Sequence, residues 1–65
     1  MSPLDLARWR AETLIVDALV AALLARDGRA QAAAVRTIPD DDDAHRRVWS
    51  RAILLVEWHG VHGAD

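Results

Sequence analysis

The segment LIVDALVAALLA, Leu14 to Ala25, contains a single polar residue, Asp17. A run this apolar leaves few options. It falls short of the roughly 20 residues needed to cross a bilayer. It also shows no period-two alternation between turn signals, so no sheet is expected. The remaining option is a helix that is apolar nearly all round, and such a helix is one that other helices surround.

The ends of that helix are legible. Ser2 before Pro3 reads as an N-cap with proline at the first helical position, and Asp5 favours the positive helix end. The pattern predicts a helix over 3–27, closed by Gly28 in the left-handed conformation. RAQAAAVRTI predicts a short second helix over 29–38, which Pro39 ends. The run Asp40 to Asp43 then supplies an N-cap and an acidic first turn for a third helix over about 41–59, with Gly60 as its stop and a flexible tail over 60–65. The expectation is one small all-α domain, a helical hairpin or three-helix unit of long, short and long helices.

The helix faces say more than the helices do. Leu4, Ala7, Ala11, Leu14, Ala18, Ala21 and Ala25 recur at spacings of three and four, a heptad stripe made mostly of alanine. Small side chains let two helix backbones approach closely. Trp9, Val16, Val20 and Leu23 form a bulkier stripe roughly opposite, with Ile15 and Leu19 between the two. On the third helix, Val48, Ala52 and Leu55 make a heptad line beside Trp49, Ile53 and Val56. Leu54, Trp58 and Val61 share another face with Arg47 and Arg51.

A chain of 65 residues is too short to cover all of these faces. A domain of this size buries only about 60% of the surface its unfolded chain exposes. The usual supplements are disulfides, a structural metal or a partner chain. With no cysteine, disulfides and thiolate metal sites are excluded. A partner is therefore expected, most simply a second copy completing a dimeric helical bundle, with Ala7, Ala11, Leu14, Ala18, Arg47, Arg51, Leu54, Trp58 and Val61 as interface residues.

Asp17 admits two readings. If the first and third helices pack antiparallel with Asp27 near Asp41, Asp17 comes level with Arg51 and the two make a buried ion pair, since a carboxylate in apolar surroundings must be paired or protonated. Alternatively it lies on a polar strip with Arg10 and Thr13 and faces solvent.

Other chemistry has thin support. Glu57, His59 and His62 are ligand types for zinc or iron, but HGVH crosses a predicted helix end and a single chain offers no fourth ligand. A dimer could supply a second set, so a metal- or cofactor-binding bundle stays as an alternative, while the main reading requires no cofactor. The acidic run lacks the alternating ligands, glycine and late glutamate of a calcium loop. Ser2, Ser50, Thr13 and Thr37 stand in no nucleophile motif, and there is no phosphate-binding glycine loop, so no enzyme is expected.

The outline also fits a helix-turn-helix regulator, with His45, Arg46, Arg47, Ser50 and Arg51 on a recognition helix. Four aspartates at the end that would meet phosphates, and a net charge of −2, argue against nucleic acid. All eight basic residues are Arg, which with abundant Ala reads as bacterial-like GC-rich coding rather than function. No basic-then-apolar leader opens the sequence, and the expected setting is the cytoplasm, without a membrane. The sequence thus reads as a non-enzymatic interaction module, a regulatory, accessory or adaptor subunit that pairs with itself or with a larger protein.

Overall fold

The computed structural model describes residues 2–63. It is all-α, with α1 over Pro3–Ala25, α2 over Gly28–Arg36 and α3 over Asp42–His62, and there is no strand among the described residues. The predicted long, short, long order holds. α2 and α3 each pack on α1 and make no interface with one another, so α1 is the spine of the unit.

The helix starts follow the sequence closely. The Ser2 hydroxyl oxygen accepts from the Asp5 N–H at 3.2 Å and donates to the Asp5 carboxylate at 2.9 Å, closing the first turn. Asp41 caps α3, its carboxylate accepting from the Asp43 N–H at 3.0 Å. Asp42 and Asp43 then sit where the helix dipole favours negative charge.

The helix stops differ from expectation at all three places. α1 ends at Ala25 and not at Asp27, and the left-handed residue is Arg26 (φ 54°, ψ 39°) rather than Gly28. The Asp27 N–H donates to the Ala22 carbonyl at 3.0 Å and the Arg26 N–H to Leu23 at 3.2 Å, the paired bonds of a Schellman motif. Asp27 explains the early stop. Its carboxylate accepts from the N–H groups of Arg29 and Ala30, both at 3.1 Å, so it caps α2 and cannot also continue α1. Gly28 becomes the first residue of α2.

α2 closes at Arg36, and Ile38 leaves the helix to enter the core at 6% exposure. α3 runs through Gly60 to His62, where Gly63 caps it. An interior glycine costs a helix only about 1 kcal/mol, and nothing else in the sequence stops the turn there. Residues 60–62, expected as tail, are therefore helical, and residues 64–65 lie outside the described residues.

The core is built from the bulky stripe of α1. Val16, Leu19 and Val20 meet Ala34 and Ile38 on one side and Ala44, Val48 and Ala52 of α3 on the other. Ile15, Leu23, Val35, Trp49 and Val56 close its margin. The alanine stripe of α1 faces outward along its whole length.

Leu19 is fully buried, so Leu19→Ala should cost about 2–5 kcal/mol in urea unfolding. Leu4→Ala, at an 80% exposed position, should stay within roughly 0.5 kcal/mol of the parent. Equal effects from the two would mean that the core has been assigned to the wrong face. Arg26→Gly should stabilise by roughly 0.5–1 kcal/mol, because only glycine occupies the left-handed region without a Cβ penalty.

Candidate interaction surface

Between α1 and α3 lies an ion pair whose carboxylate is buried and whose guanidinium is half-exposed, made by residues other than those the apolar run suggested. Glu12 is 5% exposed, and the Arg47 guanidinium donates to it three times, at 2.7 Å from Nη2 and at 3.1 and 3.3 Å from Nε. Arg47 is consequently held protonated more firmly than a free arginine. The Glu12 hydrogen bond is the main cause, opposed by desolvation and aided by the charges of Glu12, Asp41 and Asp43. Three hydrogen bonds from one guanidinium commit the Glu12 carboxylate to bridging α1 and α3.

Arg51 does not reach Asp17. Its Nη2 donates to Thr13 Oγ1 at 2.9 Å, and its guanidinium carbon lies 5.2 Å from the centroid of the Trp9 ring. Its Nη1 is buried without a hydrogen-bond partner, which leaves the ring face of Trp9 to stabilise that charge. Thr13 is one helical turn before Asp17, so the two helices meet in a register different from the one that levels Asp17 with Arg51. Asp17 is exposed, as the second reading had it, although Thr13 of that strip turns to Arg51 and is only half-exposed.

Helix phase was the signal for Glu12. It falls in the gap between Trp9 and Val16 on the bulky stripe, at the three- and four-residue spacings that place it on the core face. The apolar run drew attention to Asp17 because it is locally conspicuous, yet its phase points outward.

The predicted interface residues divide into two groups. Arg47 and Arg51 turn inward to α1. Leu54, Trp58 and Val61 continue their line along α3 and are uncovered, at 64%, 54% and 76% exposure. Ala7, Ala11, Leu14 and Ala18 are exposed on α1. Three of them, Ala11, Leu14 and Ala18, form one wall of an open apolar groove of about 570 Å³, with Ala30 and Ala33 of α2 and its capping residue Thr37 opposite. The sequence reading found the α1 wall. It missed the α2 wall, because nothing in RAQAAAVRTI says which of its alanines turn toward α1.

His59 and His62 both lie against Trp58, with ring centroids 5.3 and 4.6 Å away. Among the described residues no three His, Asp or Glu side chains gather to hold a metal ion, so Glu57, His59 and His62 do not form such a group within one chain. Among the described residues no helix is long and apolar enough to cross a membrane. No model of a protein family, no curated protein and no solved structure matches the chain.

The ion pair supplies a test through its sign. Arg47→Leu strands the Glu12 carboxylate, whereas Glu12→Leu together with Arg47→Leu removes both charges and adds apolar surface. The double variant should therefore have a higher urea midpoint than Arg47→Leu alone, and strictly additive effects would place Glu12 in water. Asp17→Asn should change stability by less than about 0.5 kcal/mol, with or without Arg51→Ala.

Proposed function

We propose that this chain is a small non-enzymatic protein–protein interaction module, a regulatory, accessory or adaptor subunit whose basic working form is a homodimer. The observation that carries the reading is the uncovered apolar line Leu54, Trp58 and Val61, set on a helix that continues beyond its packed part. Contiguous exposed apolar surface of this kind marks an interaction site. A tryptophan at its centre is the side chain most enriched among interface anchors.

The arrangement of charge supports the same reading over a helix-turn-helix one. Arg47 and Arg51, two of the basic residues a recognition helix would offer, spend their hydrogen bonds on α1. Asp41, Asp42 and Asp43 occupy the end of α3 that would approach phosphates.

Sedimentation at micromolar concentration should give at least twice the 7.2 kDa chain mass, with a melting temperature that rises with concentration. Trp58→Ala should shift the population toward single chains while leaving the far-ultraviolet helix signal largely in place. A compact single chain with a concentration-independent melting temperature would overturn the proposal.

A further inference from the structure

The two uncovered features, groove and helix end, fit each other but cannot meet within one chain. α2 and α3 lie on separate parts of α1 without touching, so the end of α3 has no path into the α1–α2 groove of its own chain. We infer that the C-terminal part of α3 seats in the α1–α2 groove of a second copy, and that the second copy returns the contact, making a closed two-fold dimer with two identical seats. This rests on the reading above that the chain self-associates.

Three observations point to that occupant. The first is that every residue from 57 to 63 is exposed, so the last turns of α3 have no packed face at all. Short helical segments owe their stability to packing rather than propensity. The segment carrying Trp58 and Val61 is thus a helix in want of a surface.

The second is fit. The groove walls are mostly alanine, with Ala11 and Ala18 facing Ala30 and Ala33. Interiors are close-packed, so walls this small call for bulky side chains between them. Leu54, Trp58 and Val61 supply that bulk. Lengths agree as well: nine residues of α3, from Leu54 to His62, and the nine residues of α2 each span about 13 Å. Packing two α3 ends against one another would instead meet bulk with bulk and leave the groove empty.

The third is area. A folded single chain of 7.2 kDa should expose about 4,100 Å². This one exposes 4983 Å². The excess, roughly 900 Å², is close to the ≈800 Å² that each partner contributes to an interface of standard size. It is what one copy of the chain would need to cover, and a reciprocal seat covers groove and helix end together.

The chain has no cysteine, so single cysteines report proximity without background. Ala33→Cys marks the groove and Val61→Cys marks the helix end. Mixed and mildly oxidised, the two variants should give several-fold more disulfide-linked heterodimer than either gives of homodimer alone. Ala18→Trp, at an exposed groove position, should remove that linkage while keeping the helix signal of the parent. Ala32→Trp, exposed on α2 outside the groove, should not. Efficient linking of Val61→Cys to itself, or a chain that sediments as a dimer without mixed linkage, overturns the seat but leaves self-association standing. A chain that sediments singly at every concentration overturns both.

Discussion

Everything in this fold is fastened to one helix. α1 receives α2 on one part of its surface and α3 on another, and the two never close on each other. The core is consequently a strip along α1, centred on Val16, Leu19 and Val20, rather than a volume enclosed by three elements. A third side, the alanine stripe, is left exposed, with the open groove between its middle part and α2. The open groove and the bare end of α3 both follow from that geometry, since two helices bound only to a common third cannot shield its remaining face.

The Glu12–Arg47 pair adds register to an arrangement that apolar contact alone would leave loose. Hydrophobic burial is not directional, and a line such as Ala44, Val48 and Ala52 could slide along α1 at modest cost. Moving α3 by one turn in one direction would bring Asp43 to Glu12, carboxylate against carboxylate. Moving it the other way would bring Arg51 to Glu12, but would withdraw that side chain from Trp9 and Thr13. A buried carboxylate with a single strong partner penalises both slips.

Much of this was legible in the chain. The three helices, Ser2 as a cap, the aspartate run as the capped start of α3, and the faces carrying Val16, Val20, Val48 and Ala52 follow from spacing and cap chemistry. So does the prospect of an uncovered Leu54 and Trp58 patch. What was not legible depends on competition between neighbours. Gly28 is the better left-handed residue, but Asp27 is the better N-cap, and capping α2 forces the left-handed turn back onto Arg26. Gly60 is a permissible stop, yet nothing nearby enforces it. The ion pair eluded the reading for a related reason: contrast with apolar neighbours marks Asp17, whereas burial depends on helix phase, which selects Glu12.

The absence of any α2–α3 interface also bears on how the chain moves. In a bundle whose elements all interlock, loosening one helix exposes the others, and the unit opens as a whole. Here α2 can lift from α1, pivoting at Arg26 and Asp27, while α3 keeps its ion pair and its apolar line intact. α3 can in turn fray from its far end inward without disturbing α2. The fold therefore carries two opening units coupled only through the shared strip Val16, Leu19 and Val20, of the kind that sub-global amide exchange resolves as separate steps.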